Sequence, residues 1–109
     1  MGHDILGYNK AGGEIAYARF SMSNHNVTVL YRLLDATQYD AGVSGSGNSA
    51  TYTVPQLENA LNLFNQSFGE IDSSSKHHYT VWDLKQIRDF IVNCLATAKN
   101  EGSVKIFFC

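Results

Sequence analysis

The 109-residue chain has few of the residues that would crosslink, kink or charge it, namely two cysteines, one proline and only 17% charged side chains. Two cysteines cannot build the disulfide framework of a small secreted domain, and we expect a reducing, cytoplasmic setting. No apolar run approaches the roughly 20 residues that span a bilayer. The first residues also lack a basic start followed by an apolar signal core. We therefore expect no membrane partner.

An excess of positive charge is also missing. Eight Lys and Arg face ten Asp and Glu, which gives a net charge of −2, and the basic residues are scattered along the chain. Polynucleotide binders usually concentrate Lys and Arg in a patch or stripe, and long nucleic acid is therefore not an expected partner.

Metal-binding spacings are absent. The sequence has no HxH, HExxH or CxxC pattern. His3 and Asp4 are neighbours on a predicted strand and point to opposite faces, so they cannot easily share one ion. His77 and His78 fall in a polar connection and are interpreted as solvated, while no role is assigned to His25. We expect no metal and no other cofactor.

Serine chemistry has no supporting motif either. A nucleophile elbow needs glycines two residues to either side of the serine; Gly42 satisfies this before Ser44, but Ser46 stands after it. No catalytic residue is therefore assigned, and an enzyme is less favoured than a binding protein.

Predicted elements follow from apolar periodicity and from caps. His3 to Tyr8, the turn NKAGG and the run EIAYARFSM predict a hairpin, and SVKIFFC predicts a closing strand. Three helices are predicted between these strands. The first covers about residues 25–36, the second begins at a capping box of Thr53 and Gln56, and the third extends from Thr80 to about Gly102.

This β-β-α-α-α-β order predicts a single α+β domain over 1–109, with a small three-stranded, mainly antiparallel sheet and three helices. Phe107 and Phe108 are adjacent and must point to opposite faces. The pattern predicts that both faces of this strand are buried, by helices or by a second protomer. We favour the second protomer, and expect a homodimer or higher homo-oligomer.

The stretch YDAGVSGSGNSATYT, residues 39–53, concentrates Gly and Ser in its centre. Its G-x-x-G-x-G pattern is neither the dinucleotide fingerprint nor the P-loop, because it follows a helix and lacks Lys-Ser/Thr. Successive amides at Gly42 to Gly47 could form an anion-binding nest, with Ser44 and Ser46 as hydroxyl donors. A flexible linker is the alternative.

Groups beside this loop favour a ligand. Tyr39 and Tyr52 can stack on a base, and Asp40 can accept hydroxyl hydrogen bonds. Arg19 and Arg32 sit in otherwise apolar elements.

An arginine in such a setting is expected to pair with a carboxylate such as Asp35 or Asp40, or else to offer its planar fork to phosphate. The predicted ligand-binding residues are Tyr39, Asp40, Gly42, Ser44, Gly45, Ser46, Gly47, Asn48, Tyr52, Arg19 and Arg32.

MGHDI, EIAYAR, LYRLLDATQYDAGVSGSG and QLENAL together resemble a group of small bacterial and phage proteins that begin MG-x-DI and carry a Tyr-Asp-x-Gly-Val-Ser-Gly loop. The resemblance implies a compact intracellular protein found in phages as well as hosts. In that context we expect a non-enzymatic small-ligand binding protein, of the phage sponge type that sequesters a phosphate-bearing nucleotide immune signal as an anti-defence measure. The alternatives are a protein-interaction module that inhibits a host protein and, less favoured, a small hydrolase.

Overall fold

The computed structural model describes residues 2–21, 27–39, 45–68 and 81–109, in which four strands form one antiparallel sheet of order β2-β1-β4-β3. The strands are β1 (Gly2–Tyr8), β2 (Glu14–Ser21), β3 (Asn48–Thr53) and β4 (Ser103–Phe108). The helices of the described ranges are α1 (Val27–Leu33), α2 (Val54–Phe68) and α3 (Val81–Glu101), with a 3₁₀ turn at Thr37–Tyr39.

The predicted α+β class is confirmed, whereas the prediction of a three-stranded sheet is wrong. The additional strand is β3, which begins inside the stretch interpreted as a Gly/Ser loop and pairs along its length with β4. Tyr52 is buried against the helices, while the flanking Thr51 and Thr53 are exposed. The period of two was present in NSATYT, but the preceding glycines and serines made the segment resemble a loop.

The hairpin of β1 and β2 is confirmed. In its turn the amide of Gly12 donates to the carbonyl of Asn9 at 3.0 Å, and the amide of Gly13 donates to Asn9 Oδ1 at 2.8 Å. Gly12 has φ +82°, a conformation that glycine adopts without a Cβ penalty. The register shifts between Gly7 and Tyr8, which leaves Ile15 as the extra residue and places Tyr8 opposite Glu14.

The start of α2 and the end of α3 agree with the sequence signals, whereas α1, predicted over about 25–36, ends at Leu33. The side chain of Gln56 accepts a hydrogen bond from the Thr53 amide at 2.8 Å, the reaching-back contact of a capping box. At the end of α3 the amide of Gly102 donates to the carbonyl of Ala98 at 2.6 Å, and Gly102 has φ +90°. None of the helices in the described ranges is long and apolar enough to cross a membrane.

The described helices pack on one face of the sheet. Tyr31 of α1 contacts the rings of both His3 and Phe108. Helix α3 lies so close to β1 that a Cβ on Gly7 would stand 2.9 Å from Sγ of Cys94, and α2 packs on α3. The buried sheet residues facing the helices are His3, Ile5, Ala16, Ala18, Phe20, Tyr52, Val104, Ile106 and Phe108.

The other face of the sheet, here called the open face, carries the alternate residues of each strand. Phe108 is fully buried under the helices, whereas Phe107 points to the open face and is half-buried. Tyr17, also on the open face, leaves 47% of its surface exposed. Described helices therefore cover Phe108 but not Phe107, and the predicted burial of both faces is not seen in the single chain.

Candidate functional site

The structure describes only the second half of the predicted anion loop. Asp40, Gly42 and Ser44 lie outside the described residues. The amide of Ser46 donates to the carbonyl of Tyr39 at 2.9 Å, and the amide of Gly47 donates to the carbonyl of Phe108 at 2.7 Å. Each amide has one proton, so these two are already used by the protein rather than offered to an anion.

Gly45 has a packing reason to be glycine. A Cβ at this position would lie 2.5 Å from the carbonyl oxygen of Phe108, closer than real side-chain contacts. The Asn48 side-chain amide donates to Ser46 Oγ at 2.9 Å and tightens the same turn. From Gly45 onward the segment is docked against the end of β4.

The two tyrosines predicted to flank a ligand are involved in the core. The ring of Tyr39 stacks on that of Phe108, with centroids 5.0 Å apart and planes at 9°, so one face of Tyr39 is already covered. Tyr52 is 5% exposed. Burial, followed by the nearby Tyr39 and Asp35, raises the pKa of Tyr52 and keeps its hydroxyl protonated.

The two arginines lie apart from these tyrosines. Arg19 points to the open face, where its Nε lies 3.7 Å from Oδ1 of Asp4. Arg19 therefore pairs with a carboxylate, as expected, but its partner is Asp4 rather than Asp35, because the hairpin register sets Asp4 directly opposite Arg19. Arg32 is exposed in the last turn of α1. The predicted set of ligand residues is therefore divided between the two sides of the sheet.

A different concave surface lies on the open face, where β1, β4 and the hairpin turn meet. This depression, here called the aromatic depression, has a volume of 510 Å³. It is lined by Leu6, Tyr8, Asn9, Lys10, Gly12, Lys105, Phe107 and Cys109.

Strand register brings its central side chains together. Tyr8 pairs with Lys105 across β1 and β4, and Leu6 pairs with Phe107 in the next row of the same face. The rings of Tyr8 and Phe107 meet edge to face, with centroids 5.3 Å apart and planes at 90°. Lys105 Nζ lies 5.1 Å from the centroid of the Phe107 ring, in a cation–π contact. The result is an aromatic corner with a cation at its edge.

A second, smaller depression continues the first. It has a volume of 210 Å³ and is here called the hydroxyl depression, because it adds the hydroxyls of Thr51 and Ser103. The two depressions share four lining residues, Tyr8, Asn9, Lys10 and Lys105. Thr51 pairs with Lys105 across β3 and β4, which makes the two depressions adjoining parts of one surface.

The electrostatics of this surface favour an anion. Lys10 and Lys105 line both depressions, and no Asp or Glu of the described ranges lines either. Glu14 lies opposite Tyr8 on β2, and Glu101 accepts a hydrogen bond from the Lys10 amide at 2.8 Å, but neither residue is among those that line the depressions. The lining therefore carries two cations, while the two carboxylates lie beside it.

At the other end of the open face, polar groups satisfy one another. The hydroxyl of Tyr17 donates to Oδ1 of Asp4 at 2.8 Å, and Arg19 approaches the same oxygen. This hydrogen bond raises the pKa of Tyr17, because ionising the phenol would place a second negative charge beside the carboxylate. The polar side chains at this end of the open face therefore have partners within the protein.

The His and Cys side chains of the part of the chain that the structure describes are scattered, and one of the two cysteines is buried. That part contains no group of three His, Cys, Asp or Glu side chains arranged to hold a metal ion. His3 is buried, with Nδ1 3.1 Å from the Tyr31 hydroxyl, and His25, His77 and His78 lie outside the described residues. Burial raises the pKa of the Cys94 thiol to about 12, so it stays protonated at neutral pH.

Sequence reasoning missed Tyr8, Lys105 and Phe107 as a group. The usable signal was alternation: in SVKIFFC the residues Lys105 and Phe107 fall on the face opposite to the buried Val104, Ile106 and Phe108.

Comparisons of the chain with protein-family profiles, with curated proteins and with solved structures gave no match.

Proposed function

We propose that this protein is a non-enzymatic binding protein for a small ligand that carries an aromatic base and a phosphate, held in the aromatic depression. The observation that carries the proposal is the edge-to-face pair of Tyr8 and Phe107 with Lys105 and Lys10 beside it and no described carboxylate in the lining. A volume of 510 Å³ lies within the range of about 300–1,000 Å³ typical of small-molecule sites.

Binding would require a small rearrangement of Lys105. An exposed cation–π contact contributes about 0.5–1 kcal/mol, whereas a hydrogen bond from an ammonium to a charged group contributes about 1.5–3 kcal/mol. Moving Nζ from the Phe107 ring to a phosphate is therefore favourable, and it uncovers the ring for stacking with a base. The apolar Leu6 would support the same base from below.

The biological role we propose is sequestration in the cytoplasm. A binding surface without a described catalytic group suits a protein that withholds a nucleotide signal rather than converting it. Because the chain resembles small phage and bacterial proteins, we propose that it acts as a phage-type sponge against a host immune signal. A second protomer laid over the open face would enclose a ligand that a single chain leaves partly exposed.

The second candidate is a protein-interaction module that inhibits a host protein. It is favoured by the exposed Tyr17, which extends the apolar surface of Leu6 and Phe107 across the open face. A stoichiometric protein partner, together with indifference to nucleotides, would favour this function over small-ligand binding.

The test is calorimetric titration of the full chain with AMP, ADP-ribose and cyclic di-AMP. We expect at least one to bind, and to stabilise the fold by about 2.7 kcal/mol at a hundredfold excess over Kd. Lys105→Gln should weaken binding by at least tenfold, because it removes the cation at the phosphate position. Lys99→Gln, the same change on an exposed residue of α3, is the matched control and should leave Kd unchanged. Absence of binding by all three compounds would refute the proposal.

A further inference from the structure

We infer, on the basis of the proposed function, that the ligand is a nucleotide whose phosphate links the base-bearing part to a second sugar. The inference comes from the two adjoining depressions, which differ in chemistry and share a boundary that contains both lysines. A ligand that fills both depressions would place an aromatic group in one and hydroxyl groups in the other, with its negative charge at the lysines between them.

The order of groups across the open face is set by strand pairing. Along β4, Phe107 and Lys105 are two residues apart on the same face, a separation of about 7 Å. Across to β3, Lys105 pairs directly with Thr51, about 5 Å away. The surface therefore presents an aromatic ring, a cation and a hydroxyl in succession along a bent path of roughly 12 Å, which matches the order nucleoside, phosphate, second sugar.

The lining of the hydroxyl depression favours a sugar over a second base. Beyond the shared residues it adds only Thr51 and Ser103. Hydroxyl side chains both donate and accept hydrogen bonds, as sugar hydroxyls do, and they offer no ring for stacking. Asn9 also lines both depressions; its Oδ1 accepts from the Gly13 amide, so the group it adds is the side-chain NH₂ donor.

A mononucleotide would use only part of this surface. Its base would occupy the corner of Tyr8 and Phe107, and its phosphate would reach the lysines. The hydroxyls of Thr51 and Ser103 would then remain in contact with water. Tighter binding of the longer ligand should therefore depend on these two hydroxyls, while binding of the shorter ligand should not.

The experiment compares Kd for AMP, ADP-ribose and the dinucleotide ApA on the wild-type chain and on the double variant Thr51→Val with Ser103→Ala. We expect ADP-ribose, ApA or both to bind wild type at least tenfold more tightly than AMP. The double variant should bring the longer ligands to the affinity of AMP and leave AMP unchanged, which also shows that the site is intact. Thr97→Val on α3 is the matched control and should alter none of the values.

The outcomes separate the two proposals. A preference for ADP-ribose alone identifies a pyrophosphate-linked sugar, and a preference for ApA alone identifies a phosphodiester-linked one; either supports the inference. Equal binding of AMP and the longer ligands, or a preference that survives the double variant, overturns the inference while the proposed function stands. Failure of AMP, ADP-ribose and ApA to bind wild type overturns the inference, and failure of cyclic di-AMP as well overturns the proposed function.

Discussion

Two adjacent phenylalanines at the end of β4 allow the burial pattern and the candidate site to be tested with one pair of variants. Phe108 is 0% exposed and stacks between Tyr39, at a centroid distance of 5.0 Å, and Tyr31, at 5.6 Å. Phe107 is half-buried on the open face and contacts Tyr8 and Lys105. The substitutions Phe108→Ala and Phe107→Ala remove the same atoms from opposite faces of one strand.

The expected losses of stability differ by about a factor of two. Truncating a core Phe to Ala costs about 3–5 kcal/mol through lost burial and the cavity that remains. For Phe107 the losses are an edge-to-face pair of about 0.5–1.5 kcal/mol and an exposed cation–π contact of about 0.5–1 kcal/mol. Phe107→Ala should therefore lower the free energy of unfolding by about 1–2.5 kcal/mol, and Phe108→Ala by at least about 3 kcal/mol. Against a typical total of about 5–15 kcal/mol, the second loss is a large fraction.

Urea denaturation followed by tyrosine and tryptophan fluorescence measures both losses, and titration with ADP-ribose or AMP measures binding. Phe107→Ala should retain a cooperative transition and lose at least tenfold in affinity. The reasoning is refuted if Phe107→Ala costs as much stability as Phe108→Ala at low protein concentration. Equal costs that appear only at high concentration would instead indicate that a second protomer covers the open face.

Two further predictions concern the packed segments. Gly45→Ala should lower the free energy of unfolding by about 1–3 kcal/mol, because its Cβ would meet the backbone of Phe108; an unchanged urea midpoint would contradict the docked segment. With a thiol reagent at pH 8, exposed Cys109 should react at once and buried Cys94 only on unfolding; two fast thiols would contradict the structure. Since burial raises the folded pKa of Cys94 from 9.0 to about 12, the unfolded chain loses this proton first. The stabilising contribution of Cys94 should therefore be full below about pH 9 and fall as pH rises toward 12, with a shallower decline in Cys94→Ala.

The parts of the fold that the sequence predicts are those with local causes. A turn with glycine at φ +82° creates the hairpin, and Gln56 caps α2 by reaching back to the Thr53 amide. Gly102, at φ +90°, ends α3. Each of these signals depends on residues within a few positions of one another, so the sequence carries them without any tertiary information.

Strand β3 and the open-face site depend on contacts between distant segments. NSATYT forms a strand because it pairs with β4. The glycines and serines before it carry no local signal of that pairing. Tyr8 and Phe107 come from opposite ends of the chain and meet only through the β1–β4 register. The pairing of Arg19 with Asp4 was missed for the same reason, since the cross-strand register decides it.

We propose that the ligand binds on the open face and not at the Gly/Ser segment. The most direct test of this proposal is a titration of the isotope-labelled chain with ADP-ribose, or with AMP, followed by amide NMR shifts. Binding on the open face should place the largest shifts on Tyr8, Lys105 and Phe107. Shifts confined to Ser46 and Gly47, with the open face unchanged, would contradict it.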